Sequence, residues 1–269
     1  MFDDNLAHKA AINLTELRNK KPLIHNITNF VVMNFTANAL LALGASPVMA
    51  HAPEEVEEMV SFAGALVLNI GTLTNPWIDS MLKAGKRANE LQIPIVLDPV
   101  GSGATAFRTA TAMKLADTLS ISVIRGNASE VLSLSGEDSQ TKGVDAVHGV
   151  DEAEGAAIAL SRKLGATLAI TGPVDLITDG NRVLRVFNGH EQMGNVTGTG
   201  CTATALIGAF LAVDGDRLEA TATALAAYGV AGEDAASESR GPGSFHPALL
   251  DALYLLDREK LKKKIRITS

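Results

Sequence analysis

The sequence predicts one α/β domain built on a mainly parallel central sheet. Short runs of aliphatic and β-branched residues alternate with longer segments of helical periodicity, a pattern that is typical of successive βα units. Polar residues follow directly after several of the short runs, as expected where the carboxyl ends of parallel strands share one edge. Of the 269 residues, 46% are hydrophobic, so the chain can build a large core.

The candidate strands fall into two groups, and the pattern after Val196 is helical almost to the C-terminus. Residues 46–49, 66–70, 94–97, 122–124 and 167–170 are expected to form parallel strands, and residues 174–178 and 183–187 an antiparallel addition. No repeat or low-complexity linker divides the chain, so residues 1–269 are expected to form a single domain. The basic stretch REKLKKKIR in the segment 258–269 is expected to be a solvated helix or a frayed tail.

Composition argues against several classes of partner. The net charge is −7 and aromatic residues make up only 4% of the chain, so no nucleic acid is expected as a ligand. The uncharged stretches 29–50 and 195–213 contain Asn, Thr and Gly, which indicates buried elements rather than membrane spans. The single cysteine, Cys201, and an acidic N-terminus unlike a signal peptide favour a cytoplasmic location.

The stretch TGTGC (197–201) is the most informative part of the chain, because it leads directly into the apolar run 205–213. Gly198 and Gly200 allow the main chain to approach a ligand closely, and the free amides of a first helical turn attract anions. Phosphate is the expected ligand. For the glycines alone, an ordinary turn from a strand into a helix is the simpler interpretation.

Polar side chains follow the apolar runs of four predicted strands: Asn69 and Thr72 after LVL, Asp98 after IVL, Arg125 and Glu130 after SVI, and Thr171 after LAI. Asp98, Arg125, Glu130 and Thr171 should therefore meet the TGTGC turn at one edge of the sheet. Carboxylates can hold Mg²⁺ and an arginine can grip phosphate oxygens, so the set indicates phosphoryl transfer. Taken singly, each residue also has a structural interpretation. Asp98 could form a turn before Pro99, Arg125 could be a surface ion-pair partner, and Glu130 could be a solvated residue in the first turn of a helix.

The chain lacks both G-x-x-x-x-G-K-[ST] and a G-x-G-x-x-G after its first strand, so a nucleotide must be held in another way. Over nearly its full length the sequence resembles the ribokinase-like superfamily and, within it, the hydroxyethylthiazole kinase family. The resemblance rests on IHNITNFV (24–31), GASPVMA (44–50), LNIGTL (68–73), LDPVGSGATAFR (97–108), IRGNASE (124–130), TGPVDLITDG (171–180), TGTGC (197–201) and GPGSF (241–245).

The resemblance implies a three-layer α/β/α fold without a separate lid domain, and transfer of the γ-phosphate of MgATP to the hydroxyl of 4-methyl-5-(2-hydroxyethyl)thiazole in thiamine salvage. It also implies site residues at the matching positions. These are Arg125 and Thr171 for ATP, Met49 and Gly198 for the thiazole, and Asp98 and Glu130 for magnesium. We further expect Asn26, in what the sequence suggests is a loop, to contact the substrate, since its hydroxyl or ring nitrogen needs a polar partner.

The turn Gly198–Thr199–Gly200–Cys201 is expected to supply the anion hole, and Cys201 stands where most ribokinase-like enzymes have an aspartate base. This departure agrees with the thiazole kinases and not with the related hydroxymethylpyrimidine kinases. A buried structural thiol is the alternative role for this residue. A nucleotide-dependent repair dehydratase and a non-catalytic thiazole-binding protein are the remaining alternative functions.

The expected assembly comes from the resemblance, which implies a homotrimer with its thiazole pocket at the subunit boundary. Asn34 and Asn38 lie one helical turn apart in an uncharged segment that could form that boundary. As far as the sequence shows, a helix packed inside one subunit explains these asparagines equally well.

Overall fold

A computed structural model describes residues 2–136 and 150–269 of the chain. All the strands in these two ranges belong to one nine-stranded sheet, in the order β2-β1-β3-β4-β5-β6-β7-β8-β9. The strands are β1 Leu23–Ile27, β2 Ser46–Val48, β3 Ala65–Asn69, β4 Ile95–Asp98, β5 Val123–Gly126, β6 Thr167–Ile170, β7 Asp175–Thr178, β8 Val183–Val186 and β9 Ile267–Thr268. Strands β1 to β6 are parallel, and β7, β8 and β9 extend the sheet in antiparallel fashion.

Helices connect the parallel strands and form most of the C-terminal third of the chain. They are α1 Asp4–Lys20, α2 Met33–Leu43, α3 Val56–Ser61, α4 Asn75–Glu90, α5 Ala106–Thr118, α6 Ala128–Leu132, α7 Val150–Leu164, α8 Thr199–Leu211, α9 Arg217–Glu238, α10 Pro242–Tyr254 and α11 Arg258–Lys264. Several begin at a side chain that caps the first turn, among them Asp3, Asn127 and Asp216. No helix in the described part of the chain is both long and apolar enough to cross a membrane.

The alternation of side chains along the strands divides the core into two layers. In β3, Ala65 and Val67 point into the layer formed with α1, α2, α8, α9, α10 and α11. Leu66 and Leu68 point into the opposite layer, formed with α3, α4, α5, α6 and α7. Both faces of the parallel strands are therefore buried, which gives the three-layer α/β/α arrangement.

The predicted strands agree with the structure to within one or two residues at each end, but the sequence analysis missed β1 and β9. Strand β1 lies between β2 and β3, and all its residues except Leu23 are buried. Its run LIHNI contains His25 and Asn26, two polar side chains that hide the apolar pattern of a buried strand. The expected loop around Asn26 is therefore wrong, because this residue is part of the central sheet.

The basic C-terminal segment is docked on the domain rather than frayed. Leu261, Ile265 and Ile267 are buried in the core, and β9 pairs with β8. The backbone N–H of Arg266 donates a hydrogen bond of 2.7 Å to the side-chain oxygen of Asn188. The lysines of α11 surround one buried leucine, so the charge pattern alone concealed the contact.

We expect Ile267→Ala to lower the free energy of unfolding by about 2–5 kcal/mol, because it removes a fully buried side chain and leaves a cavity. Lys263→Ala, on an exposed position of the same segment, is the matched control and should change stability by less than about 0.5 kcal/mol. Urea unfolding measures both values. Equal stability of the two variants would contradict the docking of this segment.

Candidate active site

The carboxyl ends of the parallel strands bring Asp98, Arg125 and Thr171 together with the start of α8 at one edge of the sheet. Asn69 at the end of β3 and Asp98 at the end of β4 are register partners. The next strands end at Gly126 and Ile170, which are also register partners, and Thr171 follows directly. Because α8 packs against β3 and β4, its N-terminus meets the same edge.

Two glycines shape the start of α8, and the positive φ of Gly198 is the stronger constraint. Gly198 has φ of 90°, and a Cβ there would lie 2.9 Å from the Val32 side chain. A Cβ on Gly200 would lie 2.8 Å from the guanidinium of Arg125. The helix begins without a side-chain cap, and the Thr199 hydroxyl donates to the carbonyl of Met193 at 2.8 Å. The first-turn amides therefore lie close to a cation at a site suited to an anion.

A cavity of about 530 Å³ opens beside this helix start. Within it, Arg125 donates to the Thr171 hydroxyl at 2.7 Å, and that hydroxyl donates to the Gly126 carbonyl at 3.3 Å. The lining residues are Arg125, Thr171, Gly172, Pro173, Asp175, Asn188, Gly189, His190, Glu191, Met193, Gly194, Thr199, Gly200, Ala203, Leu225, Tyr228 and Gly229. Arg125 and Thr171, the two predicted ATP contacts, thus share a cavity with the predicted anion hole.

Asp98 is a buried carboxylate, with 1% of its surface exposed. Its Oδ2 accepts hydrogen bonds from Asn69 at 2.9 Å and from Thr204 of α8 at 2.8 Å, and it lies 3.8 Å from Arg125. Burial raises the pKa of Asp98 to about 6, although Arg125 and the two hydrogen bonds act in the opposite direction. Its Oδ1 is buried and has no hydrogen-bond partner among residues 2–136 and 150–269, so it remains available as an acceptor.

Glu130, the second predicted magnesium residue, holds two loops together. Its Oε2 accepts from the backbone N–H of Asn127, while Asn127 caps Glu130 in return, so the two form a capping box. Its Oε1 accepts from the N–H of Gly101 at 2.8 Å. The carboxylate therefore fixes the loop after β4 to the start of α6.

Cys201 lies at the end of a chain of amide side chains that begins at Asp98. Asn69 donates to Asp98, and Asn29 donates both to the Asn69 oxygen at 2.8 Å and to the Cys201 sulfur at 3.4 Å. Burial, followed by the charge of Asp98, raises the pKa of the Cys201 thiol to about 11. The thiol is therefore neutral at physiological pH.

Met49 and Asn26, the other predicted substrate contacts, have different surroundings. Met49 follows β2, the neighbour of β1, and its carbonyl accepts a hydrogen bond from His51, which stacks on Trp77 at 4.0 Å. Met49 is half-buried and lies outside the lining of the 530 Å³ cavity. The Asn26 side chain is fully buried and donates to the Ile24 carbonyl, so Asn29 is the amide that adjoins Cys201.

The sequence analysis did not assign Asn29, Asn69 or Thr204 to the site. Asn69 was recognised as a polar residue at the end of an apolar run, but it was given no role in the site. Asn29 could not be distinguished from Asn26 without the register of β1. Asp175 was also missed; it lines the cavity, and burial raises its pKa to about 6 against the effect of a hydrogen bond from Gly172 and the charge of Arg125.

The sheet order and the two helical layers define a ribokinase-like fold. A solved ribokinase-like superfamily protein from Enterococcus faecalis has the same fold, with a TM-score of 0.66 and 15% identity over 93% of this chain and 94% of that chain. Residues 14–259 match the hydroxyethylthiazole kinase family, and the chain belongs to that family.

Two relatives agree with this assignment over nearly their whole lengths. The hydroxyethylthiazole kinase of Desulfotalea psychrophila is 62% identical over 98% of this chain and 96% of its own. The solved hydroxyethylthiazole kinase of Pyrococcus horikoshii has a TM-score of 0.90 and 48% identity, covering 97% of this chain and 98% of that chain. The expected family and fold class are therefore confirmed.

We expect Cys201 to be alkylated by iodoacetamide at pH 8 about 10²–10³ times more slowly than a free thiol, whose pKa is about 8.5. Only the thiolate reacts, and a pKa of about 11 leaves very little of it at pH 8. The rate should keep rising tenfold per pH unit above pH 9, whereas in the urea-unfolded protein it should level off. A plateau below pH 9 in the folded protein would contradict the raised pKa.

Proposed function

We propose that this protein transfers the γ-phosphate of MgATP to the hydroxyl of 4-methyl-5-(2-hydroxyethyl)thiazole in thiamine salvage. One observation carries the proposal beyond the family name. The N-terminus of α8 brings its first-turn amides next to Arg125 on one side and the Cys201 thiol, three residues after Gly198, on the other. A phosphoryl group bound at this helix start would lie between the nucleotide cavity and the acceptor alcohol.

On the nucleotide side, Arg125 and Thr171 bind the phosphates and the 530 Å³ cavity takes the rest of ATP. The Arg125 guanidinium is held by Thr171 at 2.7 Å and by the charge of Asp98, so it is oriented before the nucleotide arrives. An arginine fixed in this way offers parallel N–H donors to phosphate oxygens. The first-turn amides at Thr199 and Gly200 add the partial positive charge of the helix start.

Asp98 and Glu130 hold Mg²⁺ through water molecules in this proposal. The free Oδ1 of Asp98 supports it, and so does the preference of Mg²⁺ for one or two carboxylates together with substrate phosphates. Residues 2–136 and 150–269 contain no cluster of three or more His, Cys, Asp or Glu side chains that could hold a metal ion. The proposal therefore does not include a site in which protein ligands alone coordinate the ion. The bound ion supplies charge neutralisation between the phosphates.

On the acceptor side, Met49, Gly198 and the Asn29 amide surround the thiazole alcohol, with Cys201 next to its hydroxyl. The thiol is neutral, so it accepts or donates a hydrogen bond and orients the hydroxyl rather than deprotonating it in advance. In a loose transition state the attacking oxygen carries little charge, so orientation and the anion hole contribute most of the acceleration.

The assembly proposed for this site is a homotrimer in the cytoplasm. Phe30, Val31 and Leu41 are exposed hydrophobic side chains beside the uncharged pair Asn34 and Asn38, whose side chains hydrogen-bond to each other. This uncharged face adjoins Asn29, so a second subunit seated on it would close the acceptor side of the site. The single cysteine supports a reducing compartment.

We expect the purified protein to phosphorylate the hydroxyethylthiazole in preference to a hydroxymethylpyrimidine, and EDTA to stop the reaction. ATP consumption with a panel of heteroaromatic alcohols measures both effects.

Arg125→Lys should lower kcat, since an ammonium cannot form the two parallel hydrogen bonds by which a planar guanidinium binds phosphate. Arg162→Lys, which changes an arginine bound to the Gly180 carbonyl away from the cavity, is the control.

Preference for the pyrimidine alcohol would contradict the proposed substrate. Turnover without a divalent ion would contradict the role of the two carboxylates. Thiazole binding without any turnover would indicate a binding protein instead of a kinase.

We expect Cys201→Ala and Cys201→Ser to lose less than the ~10²–10⁴-fold in kcat that is typical of removing a general base, because the native thiol is protonated. Cys201→Asp should stay active, and it should exceed the parent if its carboxylate reaches the hydroxyl. kcat under saturating MgATP decides between these outcomes. A loss beyond about 10⁴-fold in the alanine variant, with binding intact, would make the thiol essential.

A further inference from the structure

Arg108 extends from the first turn of α5 to three backbone carbonyls near the site. Its Nη1 donates to Val100 at 2.8 Å and to Ile70 at 3.0 Å, and its Nη2 donates to Gly71 at 2.8 Å. Ile70 and Gly71 follow β3, whereas Val100 follows β4. One guanidinium group therefore joins the two loops that leave neighbouring strands at the functional edge of the sheet.

The loop after β3 is tied to the acceptor side. The Gly71 N–H donates to the Asn69 side-chain oxygen at 2.9 Å, and the same oxygen accepts from Asn29, which in turn donates to the Cys201 sulfur. Gly71 also packs tightly, since a Cβ there would lie 2.6 Å from the Asn29 amide nitrogen. A shift of Gly71 would therefore move the Asn29 amide, which donates a hydrogen bond to the Cys201 sulfur.

The loop after β4 is tied to the phosphate side. It begins at Asp98 and continues through Val100 to Gly101, whose N–H donates to Glu130 at 2.8 Å. Gly101 has φ of 73°, and a Cβ there would lie 3.0 Å from the Arg108 side chain, so the guanidinium fits closely into this turn. Movement of this loop would change the position of both carboxylates proposed to hold the hydrated ion.

Arg108 connects the two loops through hydrogen bonds to backbone carbonyls and not through an ion pair. No carboxylate in the described ranges, 2–136 and 150–269, forms a salt bridge with it, and its three acceptors are neutral carbonyls. A planar guanidinium can reach carbonyls of two loops at fixed angles, whereas a lysine ammonium on its flexible stem cannot hold that geometry.

We propose that Arg108 is a positioning residue that sets the spacing between the acceptor side and the phosphate side of the site. The proposal rests on the proposed phosphoryl transfer between these two sides. Arg108 acts through Gly71 on the Asn29–Cys201 pair and through Val100 on the Asp98 loop. Transfer depends on this spacing because the attacking oxygen and the phosphorus must meet in line.

The test compares Arg108→Lys and Arg108→Gln with Arg18→Lys. Arg18 is a matched control because its guanidinium also joins separate segments through carbonyls alone, those of Leu43, Leu253, Tyr254 and Leu256, away from the site. Urea unfolding establishes that each variant is folded and how much stability it has lost. If Arg108→Gln does not fold, Arg108→Lys decides, since its ammonium can keep part of the carbonyl contacts.

We expect Arg108→Lys to lower kcat for the thiazole alcohol about 10²-fold, the loss typical of a misplacement near 1 Å. The KM for MgATP should change by less than about threefold, since the hydrogen bonds from Arg125 to Thr171 and from Gly101 to Glu130 still hold the phosphate side. Arg18→Lys should keep kcat within about twofold at a similar loss of stability. Equal losses of kcat in the two variants at equal stability would overturn the proposal.

The alkylation rate of Cys201, measured without substrates, provides a readout that does not depend on the proposed function. Loosening of the loop after β3 should raise it about tenfold in Arg108→Lys and leave it unchanged in Arg18→Lys. If the parent protein does not phosphorylate the thiazole alcohol, the proposed function fails, and the alkylation rates still test the spacing. Unchanged alkylation in Arg108→Lys would overturn the role assigned to Arg108.

Discussion

The buried carboxylate of Asp98 is the interaction on which the rest of the site depends. A carboxylate with 1% exposure needs partners, because burying an uncompensated charge is very costly. Asn69, Thr204 and Arg125 are those partners, and each comes from a different element: β3, α8 and β5. The partners of this one charge therefore fix α8 against the sheet, orient Arg125 and connect Asp98 through Asn69 and Asn29 to the Cys201 thiol.

The two sides of the site differ in charge, and this difference suits their proposed ligands. Arg125 and the start of α8 offer positive charge where phosphate would bind. Asn29 and a protonated Cys201 offer only neutral polar groups where an alcohol would bind. An uncharged heteroaromatic alcohol loses little hydration there, whereas an anionic acceptor would lose more and would approach the buried carboxylate of Asp98.

Much of this arrangement could be predicted from the sequence because its causes are local. The positions of the strands from β2 to β8 along the chain follow from apolar runs. The glycines of the TGTGC turn predict its geometry, because Gly198 has a positive φ and Gly200 lies close to Arg125. Strand β1 could not be recognised, since His25 and Asn26 are polar residues buried by tertiary packing. Asn29 was missed for the same reason, because its role depends on a register that only the folded sheet defines.

The docked C-terminus and the Arg108 contacts illustrate a more general limit. The basic C-terminal segment was expected to be solvated, and Arg108 was singled out only as part of a motif. In both, the positive groups serve carbonyl or carboxylate partners outside their own helix. Charge patterns predict exposure only where no distant partner exists. Arg108 ends the LDPVGSGATAFR motif of the family resemblance, yet its spacing of ten residues from Asp98 carries no local chemical signal. Only when β3 and β4 are adjacent does that arginine come between the loops that carry the two reacting sides.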